Sequence, residues 1–192
     1  MTRPPKARDQ VLDAARRIVA TRGAGHLTFE ELAAESGITR GGITYHFPTK
    51  QDLLKGLIEA DILDWDKASE ALEAECPCPR LAAYIGQVRC NLDATDAGYR
   101  RYVSGLMSAA MVDPGLLDPI RDYQKRKYSD WVWDDQNLMR YMLLLAAEGV
   151  FWQDFFDLNP LPPEVRARVR ELIERLAMHP DPKPAPAPAR EG

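Results

Sequence analysis

The chain reads as all-α, a compact three-helix unit at the N-terminus followed by a larger helical bundle, about nine helices in all. Three observations carry this reading. Apolar residues recur at three- and four-residue spacing along most of the chain, and no stretch shows the period-two alternation of a half-buried strand. Ser/Thr caps and Gly or Pro stops punctuate these stretches at short intervals. Charge divides along the same line: residues 1–50 hold eight Lys/Arg against five Asp/Glu, a net of +3, and the remainder holds 17 against 24, a net of −7. The overall −4 of the 192-residue chain therefore averages two dissimilar parts, and 45% hydrophobic residues are enough for a packed core in each.

Taken in order, Val11, Leu12, Ala15, Ile18 and Val19 mark one face of a first helix over residues 6–22, stopped by Gly23 and Gly25. Thr28-Phe29-Glu30-Glu31 is a capping box: the threonine hydroxyl takes the amide of Glu31, and Glu31 reaches back to the cap. That second helix is short, with Leu32 and Ala33 inward and Ser36-Gly37 closing it. A third runs from Thr39 to Phe47, where Pro48 stops it, and Thr49-Lys50-Gln51-Asp52 caps a long fourth helix carrying Leu53, Leu54, Leu57, Ile58, Ile62 and Trp65. Cys76-Pro77-Cys78-Pro79 is a breaker, after which helices are expected near 80–94, 98–111, 116–134, 137–157 and 163–178. The 137–157 helix is apolar nearly all round, so it must be buried on more than one face, either centrally in one chain or at a subunit interface. The last helix has a plainer stripe of Val165, Val169, Leu172, Ile173 and Leu176, and two such helices can build a four-helix interface with a second copy. Pro-Ala alternation beyond residue 179 has no core-forming pattern and predicts an extended, disordered tail over 179–192.

Function concentrates in Thr28–Phe47, two short helices about a glycine turn. This is the punctuation of a helix-turn-helix, whose second helix enters the DNA major groove while the first braces it. The second helix carries paired glycines, Gly41 and Gly42, each costing about 1 kcal/mol relative to alanine in a helix interior. Small residues let a duplex approach the backbone, and Thr39, Arg40, Thr44, Tyr45 and His46 surround them.

At these residues the chain resembles the TetR family of bacterial one-component transcriptional repressors. The matching strings are Thr28-Phe29-Glu30-Glu31-Leu32-Ala33, Gly37-Ile38-Thr39-Arg40-Gly41 and Ile43-Thr44-Tyr45-His46-Phe47-Pro48-Thr49-Lys50, with Leu53-Leu54 behind them. The resemblance covers roughly residues 6–65. It implies that Arg40 and Thr44 contact bases, that Thr39, Tyr45, His46 and Lys50 hold phosphates, and that Thr28 gives its backbone amide to a phosphate. Arginine can pair bidentately with guanine, and a lysine in the first turn of a helix adds charge to amides that already attract anions. One departure is that Thr44 stands where the family often has tyrosine, leaving a single tyrosine at 45. Ile38, Ile43 and Phe47 read as core.

The same resemblance implies a domain order of 1–48 for DNA binding, followed by the start of a linking helix to about residue 65, and 49–178 for effector binding and dimerisation. It implies a homodimer through the two C-terminal helices, a palindromic double-stranded DNA operator, and an unknown small-molecule effector. Tyr84, Tyr102, Met107, Met111, Tyr128, Trp131, Phe151 and Trp152 are numerous enough to line an apolar effector pocket or to be ordinary core, and Glu148, Gln153 or Arg140 could orient a ligand or satisfy one another.

Other chemistry has little support. His26, His46 and His179 have no ligand spacing with Cys76, Cys78 or Cys90, and there is no phosphate loop or nucleophile elbow, so neither metal, cofactor nor enzyme activity is expected. The cysteines read as structural or incidental, with a redox role as the alternative. The longest apolar stretch, 141–147, lies between Arg140 and Glu148 and is too short for a membrane span, and no secretory leader is visible, so a cytoplasmic location and no membrane partner are expected. The competing class is a helical ligand-binding or scaffold protein that does not bind DNA.

Overall fold

The computed structural model describes residues 7–76, 82–93 and 97–179. Among the described residues the order is α1 (Ala7–Arg22), α2 (Phe29–Ser36), α3 (Arg40–His46), α4 (Lys50–Glu73), α5 (Ala82–Asp93), α6 (Ala97–Val112), α7 (Asp118–Lys127), α8 (Asp135–Phe155) and α9 (Pro163–Met178), with 3-10 turns at Ala24–His26 and Pro114–Leu117 and no strand. Cys78 and residues 180–192, where the tail was expected, lie outside the described residues.

The caps explain most helix boundaries. Thr39 Oγ1 accepts from the amide of Gly42 at 3.2 Å to open α3, and Gly37 ends α2 in the left-handed region at φ 70°. Thr49 and Asp52 form a reciprocal box at α4, the Asp52 amide donating to Thr49 Oγ1 at 3.1 Å and the Thr49 amide to Asp52 Oδ2 at 3.0 Å. The box expected at α2 is only half made. Thr28 Oγ1 accepts from Glu31 at 3.2 Å, but the Thr28 amide donates to the His26 carbonyl, and Glu31 pairs with Arg22 of α1 instead. A nearby cation satisfies the carboxylate better than one more amide does. The helix expected over 116–134 ends early, at Lys127 with Tyr128 as its C-cap, and Asp134 lies outside any helix and caps α8, its carboxylate accepting from the Asn137 amide at 2.8 Å.

Packing groups the chain into two units. The first contains α1–α3, α4 as far as Asp66, α6 and α7; the second contains the remainder of α4 from Lys67, α5, α8 and α9. The sequence boundary at 48/49 instead separates consecutive stretches of chain. In the first unit Val11, Ile18 and Val19 of α1, Leu32 of α2, Ile43 of α3 with Phe47 at its C-cap, Leu53 and Leu57 of α4, and Tyr102 and Leu106 of α6 form one core. Ile43 and Phe47 are core, as the spacing predicts; Ile38 packs against that core while partly exposed. Gly56 lets α4 close on this core, since a Cβ there would sit 2.6 Å from the Phe47 ring.

A polar network joins α1, α4 and α6 within the first unit. Arg16 donates to Asp61 Oδ1 at 2.8 Å and to Asp64 Oδ2 at 2.7 Å, and the Tyr102 hydroxyl donates to Asp61 Oδ2 at 2.7 Å. Burial works to discharge Arg16, but the Asp61 charge and the Asp64 hydrogen bond outweigh it and hold the guanidinium protonated. Burial raises the Asp61 carboxyl above its ordinary value despite the opposing pull of Tyr102 and Arg16, and burial likewise raises the Tyr102 hydroxyl. In the second unit Tyr84, Ile85, Val88 and Leu92 of α5 pack with Leu143, Leu144 and Ala147 of α8 and Ile173 and Ala177 of α9.

Candidate nucleic-acid interface

Helix α3 has two faces set by its period. Ile43 and Phe47, one turn apart, are buried against the first unit's core. Arg40, Gly41 and Tyr45 are exposed, Tyr45 to 83%, while Gly42, Thr44 and His46 are half-buried. Thr28 and Thr39 are exposed at the two helix starts, and Lys50 is exposed at the start of α4. The expected contact residues thus occupy three neighbouring helix termini and the outward stripe of α3.

The two glycines separate by environment. A Cβ on Gly41 would meet no atom within 4 Å, whereas one on Gly42 would lie 2.9 Å from Ile38 Cγ2 and 3.4 Å from Thr39 Oγ1. Gly42 is therefore required by the fold of the turn, and only Gly41 leaves space on the outer face. Thr44 spends its hydroxyl on the Arg40 and Gly41 carbonyls at 3.1 and 3.2 Å, and the Tyr45 ring meets the His46 ring edge-on at 5.1 Å.

The charges are less free than the sequence tally suggests. Arg8 pairs with Glu59, Arg16 with Asp61 and Asp64, Arg17 with Glu35, Arg22 with Glu31 and Arg40 with Glu30. Glu59, Asp61 and Asp64 lie beyond residue 50, so folding brings in acids that the +3 window leaves out. Lys50 donates from Nζ to the Ala24 carbonyl at 3.0 Å, tying the start of α4 to the turn that leads into α2. Glu30 is the residue that sequence reading missed: it meets Arg40 across a ten-residue gap that only the α2–α3 turn closes.

The residues nominated for an effector pocket divide between the units. Tyr102 is buried in the first unit's core with its hydroxyl on Asp61, and Met107 and Met111 of the same helix are exposed, Met111 to 83%. Tyr84, Trp131, Glu148, Phe151 and Trp152 belong to the second unit. Tyr84 and Phe151 are buried there, Trp131 packs against the core, and the Phe151 and Trp152 rings meet edge-on at 4.8 Å. Tyr128, in the first unit, lies half-buried beside Lys127. The second unit also holds an open cavity of about 370 Å³ lined by Leu72, Glu75, Arg89, Leu92, Arg170 and Glu174, four charged and two leucine side chains outside the nominated residues. Among the described residues no group of three His, Cys, Asp or Glu could hold a metal ion, and no helix is long and apolar enough to cross a membrane.

Residues 11–57 match the family model described as bacterial regulatory proteins, tetR family, and residues 79–178 match the tetracyclin repressor-like C-terminal domain. The HTH-type transcriptional regulator TtgR of Pseudomonas putida is 33% identical over 70 residues, which is 36% of this chain and 33% of that protein. The match thus spans about a third of that curated relative. Two solved structures share the fold at 18% identity: the transcriptional regulator SCO7518 from Streptomyces coelicolor A3(2), with TM-score 0.68 over 90% of this chain and 99% of that one, and a transcriptional regulator from Saccharomonospora viridis in complex with choline, with TM-score 0.64 over 90% and 96%. With the two family models together matching more than half the chain, this protein belongs to the tetR family of bacterial regulatory proteins.

Proposed function

We propose that the protein is a homodimeric, sequence-specific DNA-binding repressor that a small-molecule effector releases from a palindromic operator. The observation that carries this is α3: seven residues capped by Thr39 and braced by α2, with Ile43 and Phe47 buried and Arg40, Gly41 and Tyr45 presented outward. Arg40 and Thr44 read bases, and Thr28, Thr39, Tyr45, His46 and Lys50 hold phosphates, Gly41 admitting the duplex. Gly42 serves the turn itself. Two copies would set their α3 helices about 34–36 Å apart in successive major grooves.

Dimerisation is supported by the apolar face left open on α8 and α9. Leu138, Met142 and Leu145 follow one stripe of α8 with Trp152 further along, and Leu172 and Leu176 follow one stripe of α9; all are 36–60% exposed in the single chain. A helix that is apolar nearly all round and buried on one side only requires a second partner, and a self-complementary four-helix contact supplies it. The effector is assigned to the second unit, which has aromatic side chains on α8 and a cavity of small-molecule size, and one relative in fold was solved with a small molecule bound.

Gel shifts with the DNA upstream of the protein's own gene, at low salt and without ligand, test the reading. Wild type should retard one fragment, Arg40→Ala should lose it, and Lys50→Ala should flatten the dependence of log K on log salt by about 0.9. Wild-type protein that retards no fragment refutes the DNA-binding function.

A further inference from the structure

We propose that Tyr84 and Arg140 form the polar end of the effector site, and that the effector is a small molecule carrying a carboxylate. Tyr84 lies in the first turn of α5 and Arg140 in the second turn of α8, helices that pack together in the second unit. Arg140 stands one turn before Leu144, which is buried in the same cluster as Tyr84, so Arg140 shares the face of α8 that is turned toward α5. Tyr84 is 7% exposed, and its hydroxyl has no hydrogen-bond partner among the described residues; the buried Arg140 Nε also has none. Each is a donor, and a buried donor without an acceptor is a cost that native interiors seldom carry unresolved.

The arginine is also held in place. Its Nη1 donates to Asn137 Oδ1 at 2.8 Å, and Asn137 Nδ2 donates in turn to the Val132 carbonyl at 2.8 Å. Arg89 and Arg170 in the same unit are committed to Glu174 and to Asp154, whereas Arg140 faces a neutral amide and has no carboxylate among the described residues within ion-pair distance. The unit thus holds an oriented cation and a phenol, each with a buried donor lacking an acceptor. Burial raises the Tyr84 hydroxyl well above its ordinary range, with Arg140 pulling the other way, so at neutral pH Tyr84 is a donor and not a phenolate. A carboxylate offers two acceptor oxygens and one negative charge, which matches this pair; a cation or a second donor group would leave both donors unmet. The half-buried Trp131 and Met139 pack against the same cluster and supply apolar wall for the rest of the ligand.

This inference rests on the second unit being the effector-binding part, and the experiment separates the two. Full-length protein is titrated with acetate, benzoate and octanoate, each beside its neutral amide, following Tm and tryptophan fluorescence. At least one acid should raise Tm where its amide does not. Arg140→Lys, which keeps the charge but removes Nε, should weaken that acid about tenfold or more, and Tyr84→Phe about threefold to tenfold. Without ligand, Tyr84→Phe should be as stable as wild type or more so, because the hydroxyl it removes has no partner. The proposal is overturned if no acid exceeds its amide, as when bound water satisfies the pair, or if Tyr84→Phe lowers unliganded stability as loss of a made hydrogen bond would. An acid that binds through both residues yet leaves DNA retardation unchanged upholds the carboxylate site and refutes its role as effector.

Discussion

Replacing Gly41 by alanine should separate what α3 needs to fold from what it needs to read DNA. The position is the second residue of α3, its φ is ordinary, and an added Cβ would find no atom within 4 Å, so the substitution introduces no clash. Alanine exceeds glycine by about 0.8–1.0 kcal/mol in a helix interior, and close to the N-terminus about half of that is expected, so the variant should be roughly 0.5 kcal/mol more stable than wild type. Gly42→Ala, one residue on, should go the other way. Its Cβ would lie 2.9 Å from Ile38 Cγ2, and moving the isoleucine disturbs the turn, an overpacking cost of about 1–3 kcal/mol that exceeds the propensity gain. Urea denaturation of both variants measures the stabilities, and fluorescence anisotropy with a retarded fragment measures binding. If Gly41 is there to admit the duplex, Gly41→Ala should bind DNA about tenfold more weakly while being the more stable protein. A Gly41→Ala variant with unchanged DNA affinity would refute the close-approach argument, and one less stable than wild type would refute the open geometry.

Three further outcomes follow from the packing. Glu30→Gln should free Arg40 and remove one negative charge from the outward face beside α3, raising affinity for calf-thymus DNA about two- to fivefold at low salt, a gain that should shrink in an Arg40→Ala background, where only the charge removal remains. Asp61 holds its proton to a higher pH in the folded chain than its ordinary 3.8, so folding takes up a proton and this group's contribution falls as pH rises from that value through the folded one; the stability of wild type relative to Asp61→Asn should decline across that window, and a rise would contradict the assignment. Met142→Glu, on the open stripe of α8, should convert a dimer to a monomer in sedimentation velocity while leaving the helix content by circular dichroism unchanged.

Local features were legible where their cause is local. Thr39, Gly37 and the Thr49–Asp52 box act over three or four residues, so spacing alone located α2, α3 and the start of α4. Where a partner further off along the chain competes, reading by spacing failed: Glu31 left its capping box for Arg22. The residues nominated for a pocket fall in both units, because aromatic content alone does not say which core a ring joins. Tyr102 and Tyr84 are equally aromatic in sequence, yet one is hydrogen-bonded to Asp61 in the first unit's core and the other is without an acceptor in the second.

By itself the sequence determined the all-helical class, the helix-turn-helix and the inward positions Ile43 and Phe47, because period and caps depend on neighbours within one or two turns. Only the tertiary structure decided which charges are already paired, which of the two glycines is open, and which face of α8 lies uncovered. Those depend on side chains tens of residues apart, such as Arg16 and Asp61 or Arg89 and Glu174, whose meeting is set by how whole helices pack. Folding closes five arginines of the first fifty residues into ion pairs, among them Arg40 on the outward side of α3, held by Glu30, so the charge excess read from the sequence is less free than its tally.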